Sequence, residues 1–137
     1  MGIVGYGDIG KACGRLAKAF GMRIIALRRQ AQMSEQDKDE GVLEDLFSPD
    51  QMTEMVGKCD YVVMSTPYTE QTHKLFSADA VAAMKSTAVF VNVGRGKCLD
   101  EDALIEALQA GAFRLPLEGL WHMCIISATF HFTAIGT

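Results

Sequence analysis

No two cysteines of this 137-residue chain stand in a C-x-x-C pair: Cys13, Cys59, Cys98 and Cys124 are scattered along it. The scatter argues against a disulfide framework or a metal site and predicts reduced thiols in a reducing compartment, serving as small buried apolar side chains. No positively charged leader followed by an apolar stretch opens the chain, which predicts a cytoplasmic protein without a secretory signal. The apolar run Leu120 to Ile135 is interrupted by His122 and His131 and, at 16 residues, falls short of a bilayer span. Repeats and low-complexity segments are absent. Acidic side chains are missing from residues 11–29, which hold six bases (Lys11, Arg15, Lys18, Arg23, Arg28, Arg29), whereas residues 35–60 hold nine acids and two lysines. A formal net charge of −4 disfavours a general attraction to nucleic acid, while the basic first unit suits a phosphate-bearing ligand. Lys11, Arg15 and Lys18 also fit a solvated helix face. With 49% hydrophobic and 22% charged residues, the composition is that of one ordinary globular core.

The most informative segment present is Gly5-Tyr6-Gly7-Asp8-Ile9-Gly10, directly after Ile3-Val4 and ahead of a helix-patterned stretch. In such a strand–turn–helix, the first glycine permits the tight turn. The second lets backbone approach a pyrophosphate, and the third lets the helix pack closely on the strand. The helix then presents unpaired N–H groups and the positive end of its dipole to the anion. Taken alone, the spacing is equally compatible with a flexible glycine turn; its context carries the reading.

Ile9, Cys13, Leu16, Ala17 and Phe20 recur at helical spacing, and Gly21 stops that helix. Arg23 to Leu27 reads as a buried parallel strand, which completes a strand–helix–strand unit. Residues 30–41, polar and acidic, read as a loop. A helix over residues 49–57 follows the Ser48-Pro49-Asp50 start, then a strand over 61–65 broken by Pro67. Next come a helix from Ser77 through Met84, a strand over 88–91, and a helix capped by Asp100 and stopped by Gly111. Alternation of this kind predicts a Rossmann-type, doubly wound α/β fold built on a parallel sheet.

Ligands of doubly wound sheets sit beyond the carboxyl ends of the strands, so the residues after each strand are the candidates. Besides the glycine turn there are three such places. Arg28 and Arg29 follow the second strand, where an acid would grip the ribose 2′-hydroxyl of NAD. A guanidinium there favours the 2′-phosphate of NADP, although both arginines also fit an exposed surface. Ser65-Thr66-Pro67-Tyr68-Thr69 offers hydroxyls and backbone to the nicotinamide side. Asn92-Val93-Gly94-Arg95-Gly96 sets one arginine between two glycines, fit to hold a substrate carboxylate and polarise the adjacent carbonyl, or alternatively to tie down a loop.

The run from Met84 to Leu104, around Val91-Asn92-Val93-Gly94-Arg95-Gly96, resembles a long motif of the D-isomer-specific 2-hydroxyacid dehydrogenases. Gly5 to Gly10, Phe20-Gly21-Met22, and Pro67 with Thr69 and Thr72 are similar to the same family in order and spacing. The likeness covers about residues 2–114. It implies a nicotinamide-binding domain, hydride exchange between NADPH or NADH and a 2-oxo acid, and a homodimer. Carried over by position, it further implies that Asp8 and Ile9 approach the pyrophosphate, Arg28 the adenosine ribose, Val93 and Gly94 the nicotinamide end, and Arg95, as the catalytic residue, the substrate carboxylate. The arginines at 28 and 29 look more like the glyoxylate and hydroxypyruvate reductases that use NADP. No metal is implied.

After Arg114 the family pattern stops, and residues 115–137 read as an apolar tail foreign to it. The expectation is therefore a dinucleotide-binding unit over 1–114, truncated at both ends, followed by a non-cognate tail over 115–137. The family's catalytic histidine is expected beyond Thr137; neither His122 nor His131 matches it, and His73 falls in a surface connection. Without that histidine and its carboxylate partner the chain is expected to bind but not turn over. The alternative is a dinucleotide-sensing interaction module, similar to the corepressors that resemble this family.

Overall fold

The computed structural model describes residues 1–112. The tail over 115–137, with Cys124, His122 and His131, lies outside the described residues. Five strands form one parallel sheet: β1 (Gly2–Val4), β2 (Ile24–Leu27), β3 (Leu43–Phe47), β4 (Tyr61–Met64) and β5 (Val89–Asn92). Their order across the sheet is β3-β2-β1-β4-β5, with Gly2 in register with Ile25 on one side and Val62 on the other. The chain runs outward in one direction from β1, returns, and runs outward in the other. That reversal leaves a crevice beyond the ends of β1 and β4.

Helices α1 (Asp8–Ala19) and α2 (Glu35–Glu40) follow β1 and β2, while α3 (Met52–Gly57), α4 (Ala78–Ala83) and α5 (Glu101–Gln109) follow β3, β4 and β5. Strand side chains alternate between two cores. Ile3, Ile24 and Ala26 join Tyr6, Ala17 and Val42 in one. Val4, Leu27, Val62, Met64 and Phe90 join Met55, Val56, Phe76, Val81 and Leu104 in the other. The doubly wound expectation therefore holds.

Several local expectations need correction. The segment expected as a loop over 30–41 contains α2, whose start is fixed by a capping box. Asp37 N–H donates to Ser34 Oγ at 3.2 Å, and Ser34 N–H donates to the Asp37 carboxylate at 3.0 Å. β3 escaped notice because its sequence, Leu-Glu-Asp-Leu-Phe, lacks an apolar run; an edge strand keeps charged side chains on its open side. The helix expected over 49–57 divides into a 3₁₀ turn, Pro49–Gln51, and α3. In α1, Ile9, Leu16 and Phe20 are 57%, 66% and 83% exposed; Gly10, Gly14 and Ala17 face the sheet instead. A Cβ on Gly14 would lie 3.3 Å from Ile3 Cδ1 and Val42 Cγ1, so a side chain there would make those neighbours give by a few tenths of an ångström.

Candidate functional site

Gly7, Asp8, Ile9, Thr66, Pro67, Val93, Gly94 and Arg95 line one open cleft of about 1030 Å³ at the ends of β1, β4 and β5. Eight of the twelve residues singled out by sequence thus converge. Gly5 and Gly10 lie beneath the cleft and shape it. Arg28 lines a separate pocket of about 580 Å³ at the end of β2, and Arg29 is exposed beside it.

The three glycines of the turn play distinct parts. Gly5 has φ +93°, a left-handed backbone, and a Cβ there would fall 2.8 Å from Thr66 Oγ1. At Gly7 an added Cβ meets nothing within 4 Å, so the backbone is bare toward the cleft. Gly10 would drive a Cβ to 2.4 Å from the Gly5 carbonyl oxygen, which makes its smallness a condition of helix–turn contact. α1 begins at once after Gly7, and its first N–H groups have no partner within the helix. A bare turn backed by a helix start of twelve residues fits a diphosphate.

β4 braces the turn from below. Ser65 Oγ donates to the Gly5 carbonyl at 2.7 Å, and Thr66 Oγ1 donates to the Val4 carbonyl at 3.0 Å. Thr66 is buried, so it offers the cleft backbone rather than its hydroxyl. Across from it, the Gly94 N–H donates to Asn92 Oδ1 at 2.9 Å, and a Cβ on Gly94 would lie 2.7 Å from the Thr66 carbonyl oxygen. Gly94 is therefore required for packing β5 against β4. The loop after Pro67 is locked by Thr72, whose Oγ1 donates to the Pro67 carbonyl at 2.8 Å and accepts the Thr69 N–H at 2.7 Å.

Arg95 is exposed, and among the described residues it pairs with no carboxylate. It is a cation on the cleft wall without an acidic partner there. Tyr68, His73, Lys74, Lys97, Glu101 and Asp102 also line the cleft. Sequence reading missed most of them because they lie off the strand ends, on the turns after Pro67 and Arg95. Lys97 Nζ sits 5.6 Å from the Tyr68 ring centroid, and His73 meets that ring edge-on at 6.1 Å. Lys74, with φ +48°, is held to Asp100 at 3.2 Å.

Arg28 is tied to its own loop. Its Nε donates to the Gln30 carbonyl at 3.2 Å, its Nη2 donates to the Gln32 carbonyl, and its Nη1 lies 3.2 Å from Asp37 Oδ2. Much of its hydrogen-bonding capacity is thus committed within the protein. Asp37 is the residue that sequence reading passed over; its place in an acidic stretch gave no sign of burial.

A family model described as D-isomer specific 2-hydroxyacid dehydrogenase, NAD binding domain, matches residues 1–116. A glyoxylate reductase of Thermococcus onnurineus is 40% identical over 111 residues, 81% of this chain and 31% of the relative. A D-lactate dehydrogenase from Aquifex aeolicus, solved with NAD and lactic acid, superposes with a TM-score of 0.68 at 28% identity, over 82% of this chain and 32% of that one. An NADPH-dependent glyoxylate/hydroxypyruvate reductase from Sinorhizobium meliloti, solved with NADP and malonate, has a TM-score of 0.68 at 32% identity, with the same coverage of both chains. The chain spans under a third of the length of these relatives.

Proposed function

Since this chain belongs to the D-isomer specific 2-hydroxyacid dehydrogenases, through their NAD-binding domain, we propose that it holds NADP, or NAD, for hydride exchange with a small 2-oxo or 2-hydroxy acid. The cofactor supplies the hydride. The chain's residues bind and orient: Gly5, Gly7, Asp8, Ile9 and Gly10 form the diphosphate cradle, and Thr66, Pro67, Val93 and Gly94 form the wall at the nicotinamide end. Arg28 and Arg29 attend the adenosine ribose. Arg95 is the catalytic residue of this part, receiving the substrate carboxylate and drawing electron density from the neighbouring carbonyl.

The observation that carries this reading is the bare Gly7 backbone and the uncommitted Arg95 on the walls of one cleft. The relatives reported above are reductases and dehydrogenases, which favours hydride transfer over the sensing module. We assign the cofactor-binding part to residues 1–114 and a segment foreign to the family pattern to 115–137. Reduction of a 2-oxo acid also needs a proton at the new hydroxyl. His73, exposed at the rim, has no carboxylate partner among the described residues. The described residues are therefore proposed to bind and orient without supplying that proton. Leu16 on α1 and Phe20 just after its C-terminal end are exposed apolar side chains that suit a second copy of the chain, as the homodimer reading requires. No helix among the described residues is long and apolar enough to cross a membrane; a cytoplasmic setting is part of the proposal.

Two assays on one sample test it: NADPH fluorescence on binding, and NADPH consumption with glyoxylate or hydroxypyruvate. Saturable binding without consumption is expected. Turnover at ordinary enzyme rates, about 1 s⁻¹ or more, would show that the chain supplies that proton and overturn this part of the reading. Absence of binding would overturn the cofactor site. Arg95→Gln should leave NADPH affinity within about twofold while abolishing any protection by a 2-oxo acid analogue.

A further inference from the structure

Asp37 is a charged side chain that is only 1% exposed, on a helix of six residues, and neither the cradle nor Arg95 explains it. Its partners come from three parts of the chain. Lys11 Nζ of α1 lies 2.9 Å from Oδ1, and Arg28 Nη1 at the end of β2 lies 3.2 Å from Oδ2. Oδ2 also accepts the Ser34 N–H at 3.0 Å and the Ser34 hydroxyl at 2.7 Å. Burial works against the ionised carboxyl, but the Lys11 ammonium and the hydrogen bonds from Ser34 outweigh it and hold the group well below the usual carboxylate range. Oδ2 is hydrogen-bonded twice by Ser34 and Oδ1 has the Lys11 ion pair without a hydrogen bond, so the buried charge is held in place by its neighbours and can orient other groups.

The group it orients is Arg28. A guanidinium has five N–H donors in one plane; the Gln30 and Gln32 carbonyls take two of them as hydrogen bonds, and Asp37 Oδ2 stands 3.2 Å from Nη1 as an ion-pair partner. The chain from Arg28 to Ser34 thereby wraps around its own arginine and, with Glu35 and Lys38, walls the 580 Å³ pocket. Three donors remain, and the hydrogen bonds at Nε and Nη2 together with the ion pair at Nη1 hold the plane in one orientation. Bidentate capture of a phosphate depends on such a fixed plane. Arg29, exposed and without an ion pair among the described residues, adds charge but no fixed geometry.

We infer that Asp37 is a positioning residue for cofactor choice: it touches no cofactor, and by clamping Arg28 it aims that guanidinium at a ribose 2′-phosphate. The inference rests on the proposed nicotinamide-cofactor function. A carboxylate at the strand end would grip a free 2′-hydroxyl; here the strand end carries Arg28, and the carboxylate stands behind it, out of water. Two effects of Asp37 oppose each other. As a mere counter-charge it would weaken phosphate binding, so its removal would tighten that binding; as a clamp, its removal must loosen it.

The test uses 2′,5′-ADP and 5′-AMP, the adenosine portions of NADP and NAD, titrated calorimetrically into the full chain. Thermal melting of each variant is recorded in parallel. Wild type is expected to prefer 2′,5′-ADP. Asp37→Asn should lower that preference about tenfold while 5′-AMP affinity stays within about twofold. An unchanged or increased preference would overturn the clamp. If Asp37→Asn does not fold, Ser34→Ala, which removes the hydroxyl bond to the carboxylate and leaves the backbone one, should lower the same ratio by a smaller factor; no fall would again overturn it. Wild type binding neither ligand would bring down the cofactor reading and the clamp together. Both ligands bound with the ratio intact in the variant would sink the clamp alone.

Discussion

The two faces of the sheet are built on opposite principles. On the face covered by α3, α4 and α5, eighteen apolar residues are buried, from Val4 to Leu104, and large side chains such as Phe76 and Phe90 meet ring to ring at 4.8 Å. On the α1 face only six are buried, and the helix approaches through Gly10, Gly14 and Ala17 while Ile9, Leu16 and Phe20 point away. One face is closed by bulk, the other by closeness. The close face is also the one that carries the glycine turn, because a helix that starts against a strand end needs small residues where the two meet.

The largest effect should come from the closed face. Phe90→Ala removes a fully buried ring and should cost about 3–5 kcal/mol, read as a fall in the denaturant midpoint. A loss below about 1 kcal/mol would show that this core is not tightly packed. On the close face, Gly10→Ala sets a methyl against the Gly5 carbonyl and should cost about 1–3 kcal/mol together with most NADPH affinity. Retained affinity would separate the turn from the cofactor.

Intermediate in size is the acid response of Asp37. Its carboxyl titrates lower in the folded chain than unfolded, so its stabilisation is complete above the unfolded value of about 4 and declines as pH falls below that. Wild type should lose stability from about pH 4 downward more steeply than Asp37→Asn, as followed by melting temperature against pH. Parallel curves would remove the buried ion pairs from the account of this face. The smallest effect on folding is expected at Phe20. Because that ring is 83% exposed, Phe20→Ser should change unfolding free energy by no more than about 0.5 kcal/mol. Its effect should appear instead as weaker self-association in sedimentation; equal association would remove Phe20 from the dimer.

Much of this was legible in the sequence where local chemistry and fold agree. The Gly5–Gly10 turn, the Ser77 and Asp100 caps and four of the five strands announce themselves, since caps and short apolar runs are local signals. What was not legible depends on tertiary partners. The apolar stripe of α1 named the helix correctly, yet which side faces the sheet was decided by how near the helix can come. β3 carries charges suited to an edge, and so hides from a hydrophobic pattern. Arg28 was rightly placed at a strand end, but its ties to Gln30, Gln32 and Asp37 arise only when the intervening loop closes. The cleft residues from Tyr68 to Lys74 came together for a similar reason, through turns rather than strand ends.

The central claim is that a bare glycine turn at the end of β1 grips the diphosphate of a nicotinamide cofactor. Calorimetric titration of the folded chain with NADPH and with NADH, beside Gly7→Val, measures it most directly. The expected result is saturable heat from wild type that Gly7→Val abolishes with little change in melting temperature, because the added side chain would fill open space on the cleft side of the turn. No heat from either cofactor with a folded sample, or undiminished binding by Gly7→Val, would contradict it.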